Sequence, residues 1–424
     1  MSTQSFETLA LHHAHNTALT EGTRAVPIYQ STSYVFRDAD HAADLFALKE
    51  PGYIYTRLNN PTNDVLEQRL ATLDGGVGAA VFASGTAAIA TTLLTLLRQG
   101  DHIVASSHLY GGTWNLLQVT LRRYGITTSF VDPTDAANFG KAILPSTRAL
   151  FIETLGNPRL SVPDISAIAS VAHAAGIPLI ADNTVPTSYL CQPAAFGADI
   201  IVYSLTKYVG GQGTSLGGAV VDAGNFDWTS GKFPEFTSPN PAYHGLNLTE
   251  AFGRAALIAK IRLEGLRDLG AAASPFNAFQ LIQGLETLPL RIVKHSENAL
   301  ALARWLANRH EVAWVNYPGL ENHTAYTLAQ HYLPKGQSGL LTFGLKGGFE
   351  AGKKLVGKTK LFSLLANIGD TKSLIIHPAS TTHQQLSAED QLATGVTPDL
   401  IRLSVGLESL NDLYADLDQA FNNE

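Results

Sequence analysis

Cysteine is nearly absent. Cys191 is the only one in 424 residues, which excludes an intramolecular disulfide and any metal site built on several thiolates. Charge is sparse too: charged residues make up 15%, the formal net charge is -7, and the 29 Lys and Arg are scattered along the chain. Nucleic acid and anionic membranes are therefore poor partners. No apolar run is long enough to span a bilayer, and the start, Met1-Ser2-Thr3-Gln4-Ser5-Phe6-Glu7, lacks the charged-then-apolar order of a secretion signal. A cytoplasmic protein is the simplest expectation, and the sequons at Asn247 and Asn322 are then chance matches. No G-x-G-x-x-G follows a strand, which argues against a dinucleotide fold. The near P-loop from Gly347 to Lys354 has Lys354 where the magnesium-binding hydroxyl must stand. His12, His13 and His15 have no acidic or cysteine partner close in sequence and read as part of a solvated arm, not a metal site.

What the chain has is apolar mass and a regular alternation. Hydrophobic residues make up 45%, and the length calls for a large domain plus a smaller one. The boundaries expected are an N-terminal arm over 1–62, a large domain over 63–269 and a C-terminal domain over 270–424. From about residue 64 helical spacing and short apolar runs alternate in the manner of a doubly wound sheet. Strands are expected near 79–82, 102–105, 127–131, 149–152, 177–184 and 200–203, and a glycine-rich return near 219–221. The segment 248–269 has helical spacing and is expected to bridge to the second domain. That domain should hold helices over 275–310, strands near 312, 340, 373 and 401, and a final helix from Asn411.

The chemistry gathers at expected strand ends. Lys207 follows the apolar run Ile200-Ile201-Val202-Tyr203 and precedes Gly210-Gly211. A lysine there is poorly solvated, so its amine is easily neutral and able to form a Schiff base. Asp182 ends the preceding run, at the sheet edge where α/β folds place ligands. Lysine and aspartate at neighbouring strand ends suggest pyridoxal 5'-phosphate (PLP), with Asp182 pairing the ring nitrogen. Each residue alone reads more simply as a snorkelling lysine or a helix-capping aspartate, so the case rests on what accompanies them. Ser84-Gly85-Thr86 opens a helix and is either a phosphate cradle or a plain serine cap. Tyr110, before Gly111-Gly112, suits a ring-stacking or a core role. Asn157 lies in a polar turn where its amide could bond an oxygen ligand. Tyr55 and Arg57, before Asn60-Pro61-Thr62, would suit a phosphate reached across a subunit boundary.

Laid out in order, these residues resemble the Cys/Met metabolism family of PLP enzymes, relatives of cystathionine γ-synthase. The resemblance rests on Tyr55-x-Arg57 with Asn60-Pro61-Thr62, Ser84-Gly85-Thr86, Tyr110-Gly111, Glu153 to Pro158, Asp182-Asn183-Thr184, Ser204-x-Thr206-Lys207 and Arg402-x-Ser404-x-Gly406-x-Glu408. It implies an aspartate aminotransferase-like (fold type I) α/β transferase, with a mostly parallel sheet and a smaller α/β C-terminal domain. It implies that Lys207 holds the cofactor, that Asp182 holds the ring proton and that Tyr110 stacks on the ring. Ser84, Gly85, Thr86, Ser204 and Thr206 would hold the phosphate, joined by Tyr55 and Arg57 of a neighbouring subunit in a homotetramer. Asn157, Ser373 and Arg402 would fix the substrate α-carboxylate, with Tyr55 also near substrate.

Within the family, the likeness is greatest to the O-acetylhomoserine sulfhydrylase branch. It is carried by the run from Gly210 to Ser215, Phe226-Asp227-Trp228, the insertion to Tyr243-His244-Gly245, and the segments from Asn367 to Ser373 and from His377 to His383. The implied reaction is γ-replacement of O-acetyl-L-homoserine by sulfide or a small thiol. The alternatives are a methionine or cystathionine γ-lyase, or a synthase using O-succinylhomoserine; a non-catalytic PLP-fold regulator is a further one. Gly112 stands where methionine γ-lyases commonly carry cysteine. Thr86 replaces a common methionine, and Asn367 stands where many relatives have serine.

Overall fold

The computed structural model describes residues 4–382, 384, 387–393 and 395–422; Met1-Ser2-Thr3 and His383 lie outside the described residues. Strands β1 (Gly78–Phe82), β2 (His102–Ser106), β3 (Thr127–Val131), β4 (Thr147–Glu153), β5 (Leu179–Asp182), β6 (Ile200–Ser204) and β7 (Gly218–Asp222) form one sheet in the order β1-β7-β6-β5-β4-β2-β3. Only β7 opposes its neighbours; the other adjacent pairs are parallel. Successive side chains alternate between two cores. Leu179, Ala181, Ile201 and Tyr203 enter one, while Ile180, Ile200 and Val202 enter the other. Because both faces are covered, these strands read in sequence as unbroken apolar runs.

The glycines after Lys207 suggest either close backbone approach or a strand returning antiparallel at the sheet edge; the strand is antiparallel, but it is not at the edge. It lies between β1 and β6, and β1 is the outer strand. The reason is close approach: a Cβ on Gly218 would overlap the Ser84 carbonyl oxygen, so only glycine lets β7 insert beside the β1 turn.

A second sheet contains β8 (Val312–Asn316), β9 (Leu340–Leu345), β10 (Ser363–Leu364), β11 (Leu374–Ile376) and β12 (Leu400–Ser404), in the order β10-β11-β12-β9-β8. The two sheets are joined by the helix Pro275–Leu306. Its Leu281, Leu285, Leu288 and Ile292 enter a core of the large sheet, and Ala299, Leu302 and Leu306 enter the core of the small one. The bridge expected over 248–269 is thus supplied by the next segment. Residues 248–269 are helical, as expected, but interrupted at Gly253, φ +53°: a short helix, Leu248–Phe252, precedes the break, and the helical stretch over 256–269 buries Leu257, Ile261 and Leu266 against the large sheet.

The start of the arm is only partly solvated: His12 is exposed and His13 and His15 are half-buried, but one short stretch docks on the large domain. A short helix, Phe6–His12, buries Leu9 and Ala10. Buried Arg69 donates to the carbonyls of Ala10, Leu11 and His13 at 2.9, 3.1 and 2.9 Å. His13 pairs with the Thr72 hydroxyl at 2.8 Å. The apolar pair is too short to show a period, and its anchor lies far along the chain.

Candidate active site

Residues converge at the carboxyl ends of β2, β4, β5 and β6. Asp182 ends β5 and keeps partial exposure. The Thr184 N–H donates to its Oδ1 at 2.9 Å, while Oδ2 accepts no backbone N–H among the described residues. Burial pushes its carboxyl up to about 6, against the pull of the Thr184 hydrogen bonds. The Thr184 hydroxyl in turn accepts from the Ser204 N–H at 2.8 Å, which ties the Asp182 turn to the end of β6. Lys207 lies in the turn that follows. Burial, and secondarily the nearby Arg402 charge, hold its amine below the ordinary lysine range. Its Nζ donates to Asn367 Oδ1 at 2.6 Å.

That turn is held from behind by Arg291, a buried guanidinium on the long helix. It donates to the carbonyls of Tyr208 and Val209 at 2.7 and 2.9 Å. A Cβ on Gly211, at φ +71°, would overlap it, so the glycine is required twice over: for backbone sense and for space.

Ser84 is the N-cap of the helix Gly85–Leu96, and its hydroxyl accepts from the Ala87 N–H at 3.1 Å. The cap and the cradle are therefore compatible. With Ser84 on Ala87, the first helical N–H groups of Gly85 and Thr86 have no intrahelical acceptor. Gly85 is pressed against β6, since a Cβ there would stand 2.5 Å from Ser204 Cβ. The Thr206 hydroxyl is engaged with Gly217, donating to its carbonyl at 3.2 Å and accepting from its N–H at 3.0 Å. The exposed ring of Tyr110 lies over Gly112, where a Cβ would overlap it.

On the facing sheet, Arg402 donates to Asn157 Oδ1 at 3.1 Å and to the Asn367 carbonyl at 3.2 Å. Among the described residues it has no acidic partner, and burial lowers its guanidinium to about 10. A half-buried guanidinium with only amide acceptors has the charge and the planar fork to pair with a carboxylate.

Ser373 does not join this group. It is 0% exposed, its hydroxyl donates to Glu408 at 2.8 Å and accepts from the Gly406 N–H at 2.8 Å, and its own N–H donates to Glu408 at 2.6 Å. Asn367 stands in the site instead, touching both Lys207 and Arg402. The sequence marked it only as a departure from serine, which was the available signal. Glu153 is also drawn in: its two carboxylate oxygens accept the N–H groups of Tyr110 and Asn157. Tyr55 and Arg57 pack on each other, 5.3 Å from guanidinium to ring, with Arg57 donating to the Arg267 carbonyl. They make no hydrogen bond to Lys207, Asp182 or Ser84.

These residues fit PLP. A lysine with a depressed pKa lies near an aspartate at the end of the neighbouring strand, and a helix N-terminus abuts the strand that leads to the lysine. The Asn157–Arg402 pair completes a place for an amino acid.

A protein-family model described as Cys/Met metabolism PLP-dependent enzyme matches residues 7–422. The chain is 54% identical to O-acetyl-L-homoserine sulfhydrylase of Leptospira meyeri, across 98% of this chain and 96% of the relative. It is 51% identical to homocysteine synthase of Schizosaccharomyces pombe, across 99% of each. A crystal structure of a putative O-acetylhomoserine (thiol)-lyase from Campylobacter jejuni superposes with a TM-score of 0.96 at 45% identity, covering 99% of this chain and 100% of that one. That structure contains N'-pyridoxyl-lysine-5'-monophosphate. With the lysine, aspartate and helix terminus arranged as above and the family match running almost end to end, this chain belongs to the Cys/Met metabolism family of PLP-dependent enzymes.

Proposed function

We propose that the protein replaces the acetate of O-acetyl-L-homoserine by sulfide, giving L-homocysteine and acetate; a small thiol in place of sulfide gives methionine or a related thioether. The observation that carries this reading is the 54% identity, over 98% of the chain, with a relative named for that chemistry. The contacts among Arg402, Asn157, Asn367 and Lys207 support it. Arg402 and Asn157 receive the substrate α-carboxylate, and Asn367 keeps the Lys207 amine beside them.

When bound, PLP supplies the electron sink that stabilises negative charge on the substrate. Lys207 holds the cofactor and, once free, takes the Cα proton; its lowered pKa favours the neutral amine that this task needs. The Asp182 carboxylate holds the proton on the ring nitrogen. Gly85 and Thr86 N–H groups, with Ser84, Ser204 and Thr206 lining the same corner, hold the phosphate, and Tyr110 stacks on the ring. The active unit is a homotetramer in the cytoplasm, with Tyr55 and Arg57 reaching a neighbouring subunit's phosphate. Tyr55 is 41% exposed and the pair has no tie to its own chain's site, which supports that direction.

A steady-state assay with O-acetylhomoserine and sulfide, scored for homocysteine, tests the proposal. Lys207→Ala should abolish product. The proposal fails if the protein makes no homocysteine from this pair while it accepts O-succinylhomoserine or only eliminates.

A further inference from the structure

Glu153 has no part in the reaction as just described, yet it is the most confined acid in the site. It ends β4, is 6% exposed and has no cationic partner among the described residues. It stands level with Asp182 across the parallel β4–β5 pair, so the two carboxylates emerge side by side on one face of the sheet. Burial and the Asp182 charge push its proton affinity up, while the Tyr110 and Asn157 N–H groups, one on each oxygen, favour the ionised form. A buried acid without a counter-charge burdens the fold, and such a burden at a catalytic cleft points to a task there.

The hydrogen bonds show the task. Oε1 accepts the Tyr110 N–H at 2.5 Å, and Oε2 accepts the Asn157 N–H at 3.1 Å. Tyr110 ends the loop after β2, just before the helix Gly111–Asn115, and Asn157 lies in the turn after β4. One side chain therefore grips both the segment bearing the ring-stacking tyrosine and the segment bearing the amide that faces Arg402.

We propose that Glu153 is a positioning residue that sets Tyr110 and Asn157 relative to each other, so that hold on the cofactor ring and hold on the substrate carboxylate are adjusted together. This rests on the reading of Asn157 and Arg402 as the carboxylate site. The role demands two acceptor oxygens. Glutamine has the same shape but one acceptor and one donor, so its NH2 must face a backbone N–H. Aspartate keeps two acceptors on a shorter arm.

The experiment is a double-mutant cycle on the holoenzyme with Glu153→Gln, Asn157→Ala and both together. It reads KM for O-acetylhomoserine and the visible circular dichroism of the bound cofactor without substrate. Glu153→Gln should raise KM about tenfold, the scale of one hydrogen bond to a charged group, and alter the dichroism. Asn157→Ala should raise KM with little change in dichroism, and the double variant should have a KM no higher than Asn157→Ala alone. An unaltered dichroism in Glu153→Gln, or KM effects that multiply fully in the double variant, overturns the inference. If Asn157→Ala leaves KM unchanged, the carboxylate-site reading itself fails, and Glu153 is then judged by amide hydrogen exchange. The Tyr110 and Asn157 amides should exchange more slowly in the wild type than unprotected loop amides, by about tenfold or more. Exchange at the unprotected rate overturns the inference, including where Glu153→Gln does not fold.

Discussion

Gly85→Ala isolates the phosphate corner. A Cβ at 85 would stand 2.5 Å from Ser204 Cβ and 2.7 Å from Ser204 Cα, whereas carbon atoms rest about 3.5–4.0 Å apart. The helix start must therefore withdraw from β6 by about 1 Å, a displacement that core overpacking makes worth about 1–3 kcal/mol. Helix preference acts the other way, since alanine is favoured over glycine by up to about 1 kcal/mol within a helix. The withdrawal separates the Gly85 and Thr86 N–H groups from Ser204. Losing one N–H bond to a phosphate, at about 1.5–3 kcal/mol, weakens cofactor binding by about 10 to 150-fold. The measurement is titration of cofactor-free protein with PLP, followed by absorbance, alongside a thermal melt. Gly140→Ala is the control: its Cβ would meet only Val171 Cγ1, at an ordinary 3.6 Å, and it should bind PLP as the wild type does. Wild-type affinity in Gly85→Ala, or an equal loss in both variants, refutes the reasoning.

Arg402→Lys keeps the charge but loses the planar fork, so KM for O-acetylhomoserine should rise by about 10 to 100-fold with a smaller effect on kcat; an unchanged KM removes Arg402 from the carboxylate site. Gly112→Ala brings a methyl into the Tyr110 ring, 2.9 Å from Cζ and closer still to Cε1; a visible spectrum identical to wild type would mean that the ring does not contact the cofactor. Burial pushes the Asp74 carboxyl from its ordinary 3.8 up to about 7, although the Tyr203 hydroxyl opposes this. The folded state thus binds this proton more tightly than the unfolded chain, so its contribution to stability declines as pH climbs from about 4 to about 7 and is level above that. Asp74→Asn should flatten the fall in melting temperature across that window, and an equally steep fall in the variant would show that Asp74 does not titrate there.

Local signals made much of the large domain legible. Runs such as Ile200-Ile201-Val202-Tyr203 announce strands covered on both faces, and the strands do divide their side chains between two cores. The misjudged features were those set by partners far along the chain. The Leu9-Ala10 contact depends on Arg69, and the place of β7 inside the sheet depends on Gly218 meeting Ser84, neither of which a local window contains. Residues 248–269 have helical spacing, yet Gly253 breaks them and the bridging falls to the long helix.

For the site, the order of motifs along the chain determined the family and the cofactor, and it singled out Asp182 and Lys207, which end or follow buried strands, and Arg402, which lies within β12. What the tertiary structure alone decided is which side chains are free to act. Ser373 and Asn367 lie six positions apart in one segment, and nothing local separates them. Glu408 and Gly406, brought by a different part of the chain, occupy the Ser373 hydroxyl, while Lys207 and Arg402 reach Asn367. A hydroxyl that the fold commits to a buried carboxylate is lost to a ligand, and that commitment is settled by neighbours distant in sequence.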